Sequence, residues 1–196
     1  MKKFMFRATT VAMCAMMMAS VFSSCNANKP DDPKEDPKED PKTEVDTVAV
    51  AAVMNIDLWA AEDMLKVIAF SVEYLDEDGK AQTAKYEGGE FHKEIKSKGL
   101  PASLGIKFAM SKKEDVDLTQ FEEFLSDFTF SYSAEPVNAA GKYTGVNWSA
   151  QGGLTGEPVK NPIDKLDQYL TSLNKRIAPT IFEYDEKGKL TEKAWE

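Results

Sequence analysis

The stretch Ile68-Ala69-Phe70-Ser71-Val72-Glu73-Tyr74, followed closely by Asp76-Glu77-Asp78-Gly79, decides the fold. Ile68, Phe70, Val72 and Tyr74 alternate with Ala69, Ser71 and Glu73. A period of two puts the apolar side chains on one face of a half-buried strand. Asp76 to Gly79 reads as a tight turn, because a glycine at its end supplies the positive φ such a turn demands. Lys80 to Tyr86 is then the returning strand of a hairpin.

Outward from this hairpin the same period recurs in Leu104, Ile106, Phe108 and Met110, and again in Phe128, Phe130 and Tyr132. Further strands are expected at Val45 to Ile56, Glu90 to Lys96 and Tyr143 to Trp148. The first of these is uncharged from Thr47 to Ile56, shorter than the roughly 20 apolar residues a helix needs to span a bilayer, and is expected to lie centrally in a sheet. A last hairpin is expected from Thr180 to Tyr184 and from Lys189 to Trp195, turning at Asp185-Glu186-Lys187-Gly188. Its text echoes Val72 to Lys80, and a shared turn chemistry explains the echo without a repeat architecture.

One helix interrupts the strands. Asn161 is a suitable cap, Pro162 suits the first helical position, and Asp164 places negative charge in the first turn. Behind them Ile163, Leu166, Leu170, Leu173 and Ile177 recur at spacings of three and four, an apolar stripe that should pack on the sheet. Pro179 stops the helix. Short helical turns are possible near Ala60 to Lys66 and Leu118 to Leu125. These elements predict a mainly β domain, an antiparallel β-sandwich with one amphipathic helix near the C-terminus. A small lipocalin-like β-barrel is the alternative, although the Gly-x-Trp signature of lipocalins is missing.

The N-terminal region has a different character. Lys2, Lys3 and Arg7 precede an uncharged run from Ala8 to Ser24, the layout of an export signal rather than a membrane span. Phe22-Ser23-Ser24-Cys25 resembles the lipobox of bacterial lipoproteins, with Phe22 in place of the usual aliphatic residue. That resemblance implies cleavage before Cys25 and acylation of its sulfur, so that the protein meets a membrane through acyl chains. Cysteine arithmetic agrees: the chain has two cysteines, Cys14 and Cys25, and removal of residues 1–24 leaves Cys25 alone, a liability in an oxidising compartment unless it is modified. Several acyl chains, each stabilising attachment by about 0.8 kcal/mol per buried methylene, make an effectively permanent anchor.

Pro30, Pro33, Pro37 and Pro41 mark residues 25–43 as a Pro/Lys/Asp/Glu tether with nothing to form a core. Extended at about 3.1 Å per residue, it reaches roughly 50 Å from the lipid. Lys29-Pro30-Asp31-Asp32 resembles the signal that sends lipoproteins of Bacteroidota to the outer face of the outer membrane. Lys29, Asp31 and Asp32 would carry that signal, and the resemblance implies a surface-exposed outer-membrane lipoprotein of the cell envelope. The strand pattern and Asp-Glu-Asp-Gly-Lys turn over Val45 to Lys112 are similar to small Bacteroidota lipoproteins of unknown function with sandwich-like domains. No functional residue transfers from that likeness.

Residues 44–196 fit one domain by length and bury enough surface to fold without disulfide or metal. Loss of Lys2, Lys3 and Arg7 leaves 21 of the 24 basic residues against 33 acidic ones, a net charge near −12. Such a surface repels phosphate backbones, which argues against a nucleic-acid partner.

Few constellations carry chemistry. His92, the single histidine, alternates with Phe91 and Ile95 and should point outward. Zinc sites of the His/Cys kind therefore have too few ligands, and a serine triad would depend on His92 with no Gly-x-Ser-x-Gly elbow to support it. Carboxylates such as Glu122, Glu123, Asp164 and Asp167 supply pairs of the kind glycosidases use, but their abundance makes solvated surface charge the better reading. Asp76 and Asp78 offer oxygens to calcium, although the hairpin turn explains them without a metal. Trp59, Trp148 and Trp195 are expected in the core, and Ser149 to Gly156 reads as a flexible loop. The expectation is a non-enzymatic module without a cofactor that binds a protein or glycan. A barrel carrying a small apolar ligand is the alternative, and a carboxylate-based glycosidase comes third.

Overall fold

The computed structural model describes residues 47–144 and 148–196. The signal peptide, Cys25, the Lys29/Asp31/Asp32 export signal and the tether lie outside the described residues.

Among the described residues, nine strands form two antiparallel sheets. β1 (Ala51–Ala60), β4 (Glu90–Lys96), β6 (Glu123–Val137) and β7 (Ala150–Pro162) make a four-stranded sheet in the order β4-β1-β6-β7. β2 (Ile68–Leu75), β3 (Ala81–Tyr86), β5 (Ala102–Lys112), β8 (Thr180–Tyr184) and β9 (Leu190–Ala194) make a five-stranded one in the order β3-β2-β5-β8-β9. Neither sheet closes on itself or on the other among the described residues, so the domain is a sandwich and not a barrel.

Both predicted hairpins form, as β2-β3 and β8-β9. β1 is central, as expected, although it begins at Ala51 and runs on to Ala60. Inward side chains at alternate positions fill the space between the sheets. Met54, Ile56 and Leu58 of β1 and Phe128 and Phe130 of β6 meet Ile68 and Phe70 of β2, Ile106 and Phe108 of β5 and Phe182 of β8. The rings of Phe108 and Phe130 stack across the sandwich with centroids 4.1 Å apart. Each such side chain, fully buried, contributes roughly 1.5–3 kcal/mol.

The helix begins later than the sequence suggests. β7 stays paired with β6 through Asn161 and Pro162, opposite Phe124 and Glu123, so these residues are extended and do not cap or start a helix. The Asn161 side-chain amide instead donates to the Val159 carbonyl at 3.1 Å and to Ser126 Oγ at 3.3 Å. Proline is tolerated there because β7 is an edge strand. A single 3-10 turn, Ile163–Lys165, then leads into helix α2 (Leu166–Asn174). The apolar stripe is correct: Leu166, Leu170, Leu173 and Ile177 all enter the core, though Ile177 lies beyond the helix. β8 covers β5 only from Ala102 to Ile106, and α2 packs beside the remainder of that strand.

Three other expectations are met only in part or not at all. Ser149 to Gly156 is no flexible loop, since Ala150 onward is β7. Its glycines are there because aromatic rings of β6 lie over them: a Cβ at Gly156 would fall 2.4 Å from Phe128 Cε1, and one at Gly152 would fall 2.6 Å from Tyr132 Oη. The strand expected from Tyr143 to Trp148 reduces to one bridge between Tyr143 and Val137, with residues 145–147 outside the described set. Leu118 to Leu125 is helical only as a 3-10 turn at Leu118–Gln120 behind Asp117, after which β6 begins at Glu123. The turn expected near Ala60 to Lys66 does form, as the single-turn helix α1 (Glu62–Leu65).

The turn shared by the two hairpins occurs a third time, in Asn138-Ala139-Ala140-Gly141-Lys142. In each, the first residue's side-chain oxygen accepts from the backbone N–H groups two and four residues on: Asp76 from Asp78 and Lys80, Asn138 from Ala140 and Lys142, Asp185 from Lys187 and Lys189. The glycine that follows has φ near +74° in all three: +73° at Gly79, +74° at Gly141 and +76° at Gly188. An L side chain rarely adopts that conformation.

Candidate functional site: the outer face of the four-stranded sheet

Because Met54, Ile56, Leu58 and Ala60 point into the core, the intervening residues of β1, Asn55, Asp57 and Trp59, must face solvent. The register of the neighbouring strands sorts the whole outer face into rows. Glu90, Trp59, Thr129 and Thr155 form one; His92, Asp57, Ser131 and Gly153 the next; Glu94, Asn55, Ser133 and Gln151 the third. At about 4.8 Å between strands and about 7 Å between rows, this is a shallow platform of hydroxyls, amides, carboxylates and one imidazole. Between Asp57, Ser131, Ser133 and Gln151 it dips into a depression of about 310 Å³.

Two aromatic side chains stand at opposite ends. Trp59 is 39% exposed. Tyr143, 56% exposed, is held by its bridge to Val137, beyond the small apolar cluster of Ala51, Val53 and Val137. The Glu135 carboxylate beside its hydroxyl, with burial and Glu94 adding to the effect, pushes the Tyr143 pKa up. Val137 shares the outer side of β6 with Ser131 and Ser133 by alternation, so its bridge partner Tyr143 stands on that side as well.

His92 points outward as the alternation predicts, and its Nδ1 lies 2.7 Å from Asp57 Oδ1 across the β1-β4 pair. This couple does not form a triad with Ser131, the serine of its row. Ser131 sits on β6, on the far side of Asp57, so it is two strand spacings, about 10 Å, from His92. Ser131 is therefore out of reach of the imidazole, and a triad needs the base between nucleophile and acid.

The remaining candidates are occupied within the domain. Asp76 accepts from Asp78 and Lys80 N–H through one oxygen and from Gln82 Nε2 at 2.9 Å through the other, while Asp78 pairs with Lys98. Both carboxylates that would have met calcium already have partners. Glu123 pairs with Lys160, Asp167 with Lys112 at 2.8 Å and Asp164 with Lys165 at 3.7 Å. Glu122 is exposed, and its carbonyl accepts from the Ile163 N–H at 3.0 Å. Among the described residues, no group of three or more His, Cys, Asp and Glu side chains is placed to hold a metal ion. The space between the sheets, where a carried apolar ligand would sit, is filled by Phe70, Phe108, Phe128, Phe130 and their neighbours.

The tryptophans depart from expectation, since none of the three joins the buried core. Trp59 is exposed, while Trp148 and Trp195 are half-buried. Trp195 lies on Gly105, where a Cβ would come within 3.0 Å of its ring. The signal that would have exposed Trp59 was present: the alternation of β1 continues beyond Ile56 as Asp57-Leu58-Trp59-Ala60. That Asn55, Ser131, Ser133 and Gln151 share one surface had no comparable local mark, because only strand pairing gathers them. Comparison with protein-family models, curated proteins and solved structures returns no match.

Proposed function

We propose that this chain is a lipid-anchored, non-enzymatic module of the bacterial cell envelope that binds a glycan on the outer face of its four-stranded sheet. The observation that carries the reading is Trp59, an exposed indole set among Asn55, Asp57, His92, Thr129, Ser131 and Ser133. An aromatic face takes the apolar face of a sugar ring, and amides, hydroxyls and carboxylates match its hydroxyl groups as donors and acceptors. A protein-binding patch favours a different composition, with a desolvated apolar centre depleted of charged residues and serine. Support for the anchor comes from Phe22-Ser23-Ser24-Cys25 and the proline-rich tract behind it.

Two measurements test this. Palmitate labelling of the expressed protein is expected to mark the wild type and not Cys25→Ala; label on the variant would remove the anchor. Binding of the full-length chain to a glycan array is expected to be lost in Trp59→Ala while the fold is kept. Binding unchanged in that variant would remove the site.

A further inference from the structure

Resting on the glycan reading above, we infer that the ligand is an extended, neutral polysaccharide chain lying along β1 and gripped at two separated points, by Trp59 at one end and Tyr143 at the other. The platform is elongated. The eight residue steps along β1 from Trp59 to Ala51, which pairs with Val137 and so shares a row with Tyr143, cover about 26 Å. Hydrogen-bonding side chains line this path row after row, from Thr129 through Ser131 and Ser133. A disaccharide is too short to touch both aromatic anchors. A longer chain engages the second once the first is bound, so the second contact forms at a high effective concentration.

Charge narrows the ligand class. Asp57, Glu90, Glu94 and Glu135 lie on this face, against Lys96. Sugars bearing carboxylate, sulfate or phosphate would be repelled by this surplus of negative charge, whereas uncharged hydroxyls can be accepted by the same carboxylates in hydrogen bonds. Tyr143 is suited to its end of the chain, because its bridge to Val137 fixes it beside the apolar cluster of Ala51, Val53 and Val137 and more than half of the residue remains exposed.

The test uses the full-length chain in affinity electrophoresis through gels containing soluble starch, mannan, xyloglucan or, as the acidic arm, polygalacturonate. Oligosaccharides of the retarding polymer, from disaccharide to octasaccharide, then follow by calorimetry. Retardation by a neutral polymer and not by polygalacturonate is expected, with affinity rising with chain length. Trp59→Ala and Tyr143→Ala are each expected to weaken the longest oligosaccharide roughly tenfold. Tyr143→Ala should leave the disaccharide unaffected, and Tyr143→Phe should keep the binding. Retardation by polygalacturonate alone, affinity independent of length, or a loss confined to Trp59→Ala would overturn the inference, although the glycan reading would survive; a loss confined to Tyr143→Ala would overturn both. No retardation in any gel, with glycan-array binding indifferent to Trp59→Ala, would overturn both.

Discussion

The side chain of Asn174 bonds both backbone groups of Met110: its Oδ1 accepts from the Met110 N–H at 2.9 Å and its Nδ2 donates to the Met110 carbonyl at 2.8 Å. The amide thereby imitates one residue of a neighbouring strand. β8 stops pairing with β5 at Ile106, so Met110 has no strand partner on that side, and an unpaired backbone edge in the core is costly. The last turn of α2 supplies the missing partner. Lys112, two residues further along β5, adds an ion pair to Asp167 at the other end of the helix.

Asn174→Ala should destabilise the fold by about 1–3 kcal/mol, the cost of leaving partly buried donors and acceptors without partners. Chemical denaturation of the full chain measures it. A change below a few tenths of a kcal/mol would mean that water satisfies Met110 equally well and that the amide does not hold the helix in place.

Gly156→Ala should cost about 1–3 kcal/mol through overpacking. The added methyl would sit 2.4 Å from the ring of Phe128, which is fully buried and has no room to retreat. Alanine at Gly152 should cost less, since the Tyr132 ring it meets is only half-buried. Thermal melts of the two variants, compared side by side, check the order.

Asp76 and Asp185 give the two hairpins an acid-sensitive element. Backbone N–H groups donating to each carboxylate, that of Lys80 foremost for Asp76 and that of Lys189 for Asp185, hold both pKa values below the ordinary carboxylate range. The stabilisation is therefore complete above the unfolded value of about 3.9 and fades as pH falls through the lower folded values. Replacing both with asparagine should lower the melting temperature at neutral pH, with the gap to wild type closing as the pH drops below that range. Asn138, which holds the third turn without a charge, predicts that asparagine is accommodated and that the variant still folds.

Substitutions at the exposed His92–Asp57 couple should change stability by less than about 1 kcal/mol, because a solvent-exposed pair of side chains gains little. Their effect should fall on ligand binding, since Asp57 borders the central depression of the platform. His92→Ala with unchanged melting but weakened glycan retention is the expected pair of results. Loss of stability of several kcal/mol would instead make the couple structural.

Much of the architecture was legible because it rests on interactions close in the chain. The alternation of Ile68 to Tyr74 and the glycine after Asp76-Glu77-Asp78 specify a hairpin from within some twenty residues, and the repeat at Asp185 specifies another. The leucine stripe from Leu166 announced a buried helical face in the same way. Its start did not announce itself correctly. Asn161 and Pro162 satisfy local rules for a helix N-terminus, yet hydrogen bonds to β6, nearly forty residues earlier, keep them extended.

Local chemistry, then, determined by itself that this chain forms strands paired through tight turns and carries an amphipathic helix near its C-terminus. Tertiary structure alone decided that Gly152 and Gly156 are docking places for aromatic rings rather than hinges of a loop. It also brought Trp59, Asp57, His92, Ser131 and Gln151 onto one surface. The reason is the range of the forces involved. Period and turn geometry are written in neighbouring residues, whereas a platform made of four strands exists only after register aligns segments separated by up to about a hundred positions.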